Sequence, residues 1–448
     1  MEECLTLSFD DRNSGIGKLK MEPMVTAEQI NEFNDRWLNN HPWFADKLEI
    51  LKKSGIDIDK ATNQVQQLQV AIPSWALGRG GTRFGRFSMG GEPRNIYEKI
   101  DDVGTIKKLS RATSSISLHI PWDSPDDFNA VRQRANHNEL FFDSINSNTF
   151  QDQADQTLSY QFGSLSHTDP SVRDQAIGHN KEVVEIGDQL GSKSLTVWLA
   201  DGSSYPGQTN MIKALETTAQ SLRLIYDALP NDWDLLIEYK PYEPYFYHTV
   251  IQDWGTSFML TQECGDRARC LVDLGHHLPN TNIEQIVATL LWKNKLGGFH
   301  FNDSKYGDDD LTVGSIHPFQ LFLIFNELIE SSMHIDRDLP DIAWMIDASH
   351  NLKDPIEDLM QSLDAIQVAY AQALIIDRTA LNEAQEKNDT SAAQDILQSA
   401  FRTDVRPIVK KARMTLGGAV DPIALYRQLG IRSRLVDRRG KHTVATGL

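Results

Sequence analysis

Short apolar runs alternate with longer amphipathic segments through most of this 448-residue chain, and this alternation limits its fold more than any other feature. The runs have the length of strands, whereas segments 211–229, 283–295 and 318–331 repeat their apolar residues at helical spacing. We predict eight strands, at residues 68–73, 115–121, 159–164, 194–200, 234–239, 269–274, 297–302 and 342–346. Strands that alternate with helices in this way favour a parallel (β/α)8 barrel, the TIM-barrel class of α/β fold. An open doubly wound sheet is the alternative, but no G-x-G-x-x-G follows the first strand.

The two ends of the chain follow a different pattern from the middle. Residues 1–60 are polar and helical in periodicity, and residues 61–374 make up the predicted barrel domain. Residues 375–448 are charged, helical in periodicity and only patchily apolar, and they end in a basic tail. We expect this last segment to be a helical arm that packs on the barrel or on a neighbouring subunit.

Composition excludes several classes of partner. The formal net charge of -18 argues against a binding surface for nucleic acid or anionic lipid. No apolar run approaches the ~20 residues that span a bilayer, and the first residues do not resemble a secretion signal. Three cysteines without metal-binding spacing are typical of a reducing compartment. We therefore expect a cytoplasmic protein with neither nucleic-acid nor membrane partners.

Four of the predicted strands end in side chains that can bind a divalent metal. Glu238 ends the fifth strand, Asp273 the sixth, His300 the seventh and Asp347 the eighth. In a barrel the carboxyl ends of the strands open on one face, so these side chains are expected to converge. Taken singly, a carboxylate at a strand end more often caps a loop or a helix. Four together favour a site for Mn²⁺, Mg²⁺ or Co²⁺, because three oxygens and one nitrogen suit these ions better than structural zinc.

A second metal site is predicted beside the first. Gly275, two residues after Asp273, permits a sharp turn that brings His276 or His277 toward the same opening. Asp308 and Asp310 lie two apart on a loop and can complete the second ligand set with a histidine. Asp273 is the natural bridge between two such ions.

Other candidates lie near the same strand ends. Lys240 shares a strand face with the glutamate two residues before it and can stabilise negative charge on a bound oxygen. His119 follows the second apolar run and can act as a general acid or base near neutral pH, although a core histidine is the simpler interpretation. Trp122 and Trp198 can stack on a substrate or pack in the core. The glycine-rich loop 78–86 lacks the phosphate-binding pattern and is predicted to cover the active site.

Two long motifs, V-D-L-G-H-H at 272–277 and F-H-F-N-D-S-K-Y-G-D-D-D at 299–310, resemble those of a known family. The chain is similar to the sugar isomerases of the xylose isomerase-like superfamily, and most closely to the L-rhamnose isomerases of the pseudomonad type. The similarity runs from A-I-P-S-W at 71–75 through M-I-D-A-S-H at 345–350, with no departure at a ligand position. The tail after Leu416 matches least.

The resemblance assigns roles to individual residues. It implies two divalent ions per subunit, Mn²⁺ first with Co²⁺ or Mg²⁺ as alternatives. The ligands of the first, structural ion would be Glu238, Asp273, His300 and Asp347, and those of the second, catalytic ion Asp273, His276, Asp308 and Asp310. The catalytic candidates are His119 at the ring oxygen, Lys240 near O1, and Asp347. The substrate-binding candidates are Trp75, Phe84, Trp122, Trp198 and His276, and Phe84 is expected to reach into a neighbouring subunit of a homotetramer.

The implied reaction interconverts L-rhamnose and L-rhamnulose, and related pairs such as D-allose and D-psicose, by a metal-assisted 1,2-hydride shift. The nearest alternative is a ketose 3-epimerase with one metal and carboxylate proton transfer. It is disfavoured because Asp347 stands where such an enzyme has a glutamate, and because Asp308 and Asp310 are added. A zinc endonuclease of the same superfamily is disfavoured by the acidic composition, and a non-catalytic sugar-binding barrel would not need two metal sites.

Overall fold

The computed structural model describes residues 23–78, 88–154, 156–243, 246–334, 341–348 and 352–441. Eight barrel strands follow one another along these residues, and the second and third are each broken in two. They run Ile72–Pro73, Ser115–Ser117 with His119–Ile120, Phe141–Phe142 with Ile145–Ser147, Ser194–Val197, Asp234–Glu238, Ala268–Asp273, Leu296–Phe301 and Ala343–Ile346. We call them the first to eighth strands.

Each strand pairs in parallel with the next, from the first through to the eighth. The ring closes where the eighth strand meets the residue that precedes the first. There the Ala71 amide donates to the Trp344 carbonyl at 2.7 Å, and the Ile346 amide donates to the Ala71 carbonyl at 3.1 Å. The predicted parallel barrel is therefore confirmed.

The predicted third strand is wrong. Residues 159–164 lie in a loop, where both the amide and the hydroxyl of Ser164 donate to Asp201 at 2.8 Å. The third strand lies earlier, in Phe141–Phe142 and Ile145–Ser147. Its apolar run, Leu140-Phe141-Phe142, is short, and polar residues follow it: the Asn146 amide donates to Ser117 Oγ at 2.8 Å. The pattern of the whole strand is therefore weak. The other seven predicted strands overlap the observed ones.

One helix follows each strand and covers the outside of the barrel. These helices are Ile96–Ser110, Phe128–His137, Pro170–Leu190, Met211–Tyr226, Trp254–Cys264, Ile283–Trp292, Pro318–His334 and Pro355–Leu374. Six of them begin after an asparagine or aspartate whose side chain accepts a hydrogen bond from a backbone N–H of the first turn. This cap favours a helix start at that residue. The three helices expected from periodicity are present, each ending within a few residues of its predicted bound.

Further helices lie before and after the barrel in the described part of the chain. They are Ala27–Asn40, Trp43–Lys53, Ile58–Gln67, Arg378–Glu386, Thr390–Arg402, Arg406–Thr415, Pro422–Gln428 and Ile431–Arg439, together with a 3-10 turn at Trp75–Leu77 and a small antiparallel pair, Gly202–Ser203 with His248–Thr249. Arg413 pairs with Asp364 at 2.7 Å and Arg439 with Asp102 at 2.7 Å. These two contacts join the C-terminal helices to the barrel helices.

Among the described residues, no single helix is both long and apolar enough to cross a bilayer. Pro355–Leu374 and Arg378–Glu386 meet the length and composition criteria only when taken together, and the pair is bent by 64°.

Asn34 joins the first helix to the C-terminal segment. Its side-chain amide donates to the Gly418 carbonyl at 2.9 Å and its oxygen accepts from the Val420 amide at 2.8 Å. We expect Asn34→Ala to lower the free energy of unfolding by about 2–3 kcal/mol, because it leaves two buried backbone groups unpaired. Urea denaturation measures the loss, and Asp35→Ala, at an exposed neighbour, is the control. Equal stability of the two variants would contradict this role.

Candidate metal centre

A cavity of about 470 Å³ opens at the carboxyl ends of the barrel strands. Nearly all of the described candidates line it: Trp75, His119, Trp122, Trp198, Glu238, Lys240, His276, His300, Asp308, Asp310 and Asp347. Asp273 lies beneath them and is fully buried. Phe84 lies outside the described residues. The structure therefore brings the predicted site residues to one place.

The register of adjacent strands sets the candidate ligands side by side. Glu238 is the last residue of the fifth strand, and Asp273 is the last of the sixth. Asp273 pairs directly with His300 of the seventh strand, and Asp347 follows the last residue of the eighth. Because parallel barrel strands open on the same rim, these four side chains from four strands meet there.

The first ligand set is compact. Nδ1 of His300 lies 3.1 Å from a Glu238 oxygen, 3.8 Å from an Asp273 oxygen and 3.9 Å from an Asp347 oxygen. Among the described residues, Glu238, Asp273 and His300 form a group whose ligand atoms all lie within 4.8 Å of one another. Ligands held about 2.1 Å from an octahedral ion are about 3 Å apart when adjacent and about 4.2 Å apart when opposite. These spacings suit a single divalent ion.

The second predicted set is gathered on one side of the cavity. Nε2 of His276 lies 3.1 Å from Asp308 Oδ1, and its Nδ1 lies 4.0 Å from Asp273 Oδ1. Asp310 is buried in the same wall. The other oxygen of Asp308 accepts a short hydrogen bond from Lys240, so this carboxylate also pairs with the lysine. The second set is thus less compact than the first.

The two adjacent histidines face opposite ways, which decides between the alternatives that the sequence left open. His276 lines the cavity. His277 has its Nε2 at 2.8 Å from the Tyr239 hydroxyl and lines a different cleft. Gly275, which precedes the two histidines, lies so close to Asn302 and Asp273 that a side chain there would have little room.

The cavity concentrates buried negative charge. Burial raises the pKa of Asp347 to about 7, and the neighbouring Asp273 and Glu238 add to the shift. Burial together with Asp308 and Asp347 raises the pKa of Asp310 well above its usual value. Burial disfavours the charged form of His300, but Glu238 and Asp347 outweigh it and raise the pKa of His300 to about 9. Carboxylates that resist ionisation in this way mark a place where a divalent cation would be stabilised.

Aromatic rings form the wall that faces these carboxylates. His119 stacks on Trp122 with ring centroids 5.6 Å apart, and Phe150 lies 4.7 Å from Trp198. Nζ of Lys240 sits 5.0 Å above the Trp198 ring. Burial lowers the pKa of His119 to about 3, so this imidazole is neutral near pH 7. The cavity therefore offers an apolar face and a polar, acidic face to one ligand.

Several residues of the site were not found from the sequence, among them Glu243, Asn302 and Phe150. Glu243 pairs with Lys240, and the Asn302 amide donates to both oxygens of Asp273 at 3.0 Å. Phe150 follows the third strand, whose position was predicted wrongly. Asn302 lies inside a quoted motif, but an amide is not an obvious partner for a metal-binding carboxylate. Glu243 lies only three residues after Lys240, but in a loop that spacing does not by itself indicate a contact.

Trp75 orients one of the candidate ligands, since its indole N–H donates to Asp347 Oδ1 at 2.7 Å. We expect Trp75→Phe to weaken metal affinity or kcat about 10-fold, because partners that orient a ligand typically contribute that much. Metal titration and steady-state kinetics measure the effect. Trp254→Phe, outside the cavity, is the control. Unchanged metal affinity and kcat in Trp75→Phe would show that the hydrogen bond is dispensable.

Comparisons with known proteins identify two relatives of the chain. No protein-family model matches the chain. A protein of Mesorhizobium japonicum named "probable sugar isomerase" is 53% identical over 427 residues, which cover 95% of this chain and 99% of the relative. A protein of Rhizobium meliloti with the same description is 54% identical over 389 residues, or 87% of this chain and 90% of the relative.

The fold has a counterpart among solved structures. L-ribulose 3-epimerase superposes with a TM-score of 0.52 over 72% of this chain and 98% of its own length, at 11% identity. A likeness at this identity concerns the fold alone. The molecule is thus a TIM-barrel protein with a cluster of carboxylates and histidines at its carboxyl rim. The chain belongs to the same family as the two proteins named "probable sugar isomerase".

Proposed function

We propose that the protein is a metal-dependent aldose–ketose isomerase that interconverts L-rhamnose and L-rhamnulose, and related pairs such as D-allose and D-psicose. The convergence of the first ligand set in one cavity with an aromatic wall carries the proposal. The names of the two relatives support a sugar as substrate. The cavity volume of about 470 Å³ accommodates one hexose.

The proposed cofactor is a pair of divalent ions, Mn²⁺ first with Co²⁺ or Mg²⁺ as alternatives. The residues that would hold the first ion are Glu238, Asp273, His300 and Asp347, and those for the second are Asp273, His276, Asp308 and Asp310. This donor set is rich in oxygen and has no thiolate, which fits hard and borderline ions. When bound, such ions polarise a carbonyl and stabilise negative charge on adjacent sugar oxygens.

The protein's own residues would bind the sugar and stabilise the negative charge that develops on its oxygens. Lys240, held between Glu243 and Asp308, can donate to the substrate O1 and stabilise negative charge there. Neutral His119 can donate to, or accept from, the ring oxygen as the ring opens. In the isomerisation itself, the C2–H bond breaks with its electron pair and a C1–H bond forms, while one proton passes from O2 to O1. Trp122 and Trp198 would cover the C–H face of the sugar and exclude water.

Substrate choice is expected to be broad. L-rhamnose differs from L-mannose by a methyl in place of a hydroxymethyl group, and a pocket separates such pairs by only ~1–3 kcal/mol. The indole rings of Trp75 and Trp122 line the cavity and favour the deoxy sugar. L-rhamnose is therefore the proposed preferred substrate, with other aldoses converted more slowly.

A ketose 3-epimerase is the second candidate. One observation favours it: only the first ligand set is compact among the described residues, and Asp308 of the second set pairs with Lys240. A single ion would serve an epimerase. Asp310 and His276, which line the same cavity, favour the isomerase.

A panel of sugars tests the proposal. The chelated protein is resupplied with Mn²⁺, Co²⁺ or Mg²⁺ and incubated with aldoses and ketoses, and the products are identified by chromatography. Interconversion of L-rhamnose and L-rhamnulose supports the isomerase. Conversion of one ketose into another, with no aldose formed, supports the epimerase instead.

We also propose a homotetramer in the cytoplasm, with Phe84 contributed to a neighbour's cavity. Light scattering on the purified protein measures the assembly. A monomer with full activity would exclude a shared active site.

A further inference from the structure

A fully buried ion pair lies behind the cavity. Nζ of Lys99, on helix Ile96–Ser110, is 2.6 Å from Asp123 Oδ1, and both side chains are at most 1% exposed. Replacing such a pair by apolar groups of similar volume is often neutral or stabilising, because two charges lose their hydration. Stability alone therefore does not account for this pair. Neither residue lines the cavity.

The same carboxylate closes a turn that carries two candidate site residues. Asp123 Oδ2 accepts from the His119 amide at 2.9 Å, and the Asp123 amide donates back to the His119 carbonyl at 2.8 Å. We call residues 119–123 the His119 turn. It presents His119 and Trp122 to the cavity, stacked on each other. Nδ1 of His119 is buried without a hydrogen-bond partner in the described part of the chain, so the turn and the stacking set the ring's orientation.

Asp123 also reaches the end of the first strand. Its Oδ2 accepts a short hydrogen bond from the Ser74 hydroxyl. The next residue is Trp75, whose indole holds Asp347. One carboxylate thus connects the ends of the first and second strands, and both connections lead to residues that line the cavity. Burial raises the pKa of Asp123, but the charge of Lys99, together with the hydrogen bonds from Ser74 and the His119 amide, outweighs burial and holds this pKa below its usual value.

We propose that Asp123 is a positioning residue for the reaction, which fixes the His119 turn and Ser74, and that Lys99 keeps its carboxylate in place. The kinetic part of this inference rests on the proposed isomerase function. Its structural part, the rigidity of the His119 turn, does not.

Two double variants separate the hydrogen bonds from the charges. Lys99→Met with Asp123→Asn removes both charges, but the asparagine oxygen can still accept from His119 and Ser74. Lys99→Met with Asp123→Leu removes the charges and the acceptor together. We expect the asparagine variant to keep kcat/KM within about threefold of the parent, and the leucine variant to lose about 30-fold, mainly in kcat. Hydrogen exchange at the amides of His119 and Asp123 should be faster only in the leucine variant.

The control is a second buried ion pair outside the cavity, Asp102 with Arg439, whose side chains are at most 5% exposed. Asp102→Asn with Arg439→Met should leave kcat and KM unchanged. It should lower the melting temperature, because Arg439 also donates to the Gly91 and Glu98 carbonyls, which the variant leaves unpaired. Equal losses of kcat/KM in the two Lys99 double variants, or none in the leucine variant, would overturn the proposal.

Two further outcomes are assigned in advance. If the leucine variant does not fold, Ser74→Ala replaces it in the test. We expect Ser74→Ala to lower kcat by about threefold to tenfold and to speed hydrogen exchange in the His119 turn. Kinetics and exchange equal to those of the parent would overturn the proposal. A parent protein that converts no sugar would refute the proposed function, and the exchange comparison would still decide whether Asp123 holds the turn.

Discussion

Replacing His276 with glutamine is expected to lower kcat by at least about 1,000-fold and to change sugar affinity by less than about threefold. The imidazole faces the cavity and lies 3.1 Å from Asp308, so it is placed to serve a bound ion rather than to contact the whole sugar. Losing a ligand of the second ion would remove stabilisation of charge that develops during the reaction. Stopped-flow or steady-state kinetics give kcat, and tryptophan fluorescence titration gives sugar binding.

The adjacent histidine is a matched control for this experiment. His277 is only half-buried, its Nε2 lies 2.8 Å from the Tyr239 hydroxyl, and it faces another cleft. His277→Gln should lower stability modestly and keep kcat within about threefold of the parent, because its ring bonds to the Tyr239 hydroxyl and to backbone carbonyls rather than to a candidate ligand side chain. Parental kcat in His276→Gln, or equal losses in both variants, would contradict the assignment of His276 to a metal.

Removing divalent metal is expected to abolish turnover and to lower the melting temperature. Glu238, Asp273 and Asp347 face one another in a buried space, and their mutual repulsion is offset when a cation binds. An ion at 100 times its dissociation constant adds about 2.7 kcal/mol to the stability of the folded state. Calorimetry and activity assays follow the chelated protein before and after each ion is returned.

The restored protein is the control for chelation, because it separates loss of metal from irreversible damage. Mn²⁺ should restore both activity and melting temperature. Full turnover in protein that elemental analysis finds free of metal would rule out a metal-dependent reaction.

Much of the fold follows from local pattern, and the exceptions have physical causes. Seven strands were predictable because their apolar runs are bounded by turns and helices. Ile145–Ser147 was not, because Asn146 and Ser147 point polar groups into the barrel at a place where the sequence shows no apolar run. The neighbouring loop 159–164 only imitates a strand. Local pattern therefore fails where the barrel interior is polar.

The candidate site also contains residues that local sequence pattern predicts and residues that it does not. Glu238, Asp273, His300 and Asp347 were predictable because each stands at a strand end, a position that the sequence encodes directly. Partners such as Glu243 with Lys240, and Lys99 with Asp123, were not. Lys99 and Asp123 lie 24 residues apart, on a helix and a turn that only the folded chain brings together. Glu243 follows Lys240 by three residues, but in a loop this spacing does not by itself indicate a contact.

The fate of the hydrogen on C2 most directly distinguishes a hydride shift from proton transfer. L-rhamnose labelled with deuterium at C2 is converted in ordinary water, and the product is examined by NMR. A hydride shift predicts that the deuterium appears at C1 of L-rhamnulose, and that unlabelled sugar converted in heavy water gains no deuterium on carbon. Loss of the label to solvent, or deuterium from heavy water at C3 of a ketose, would contradict a hydride shift and indicate proton transfer by carboxylates.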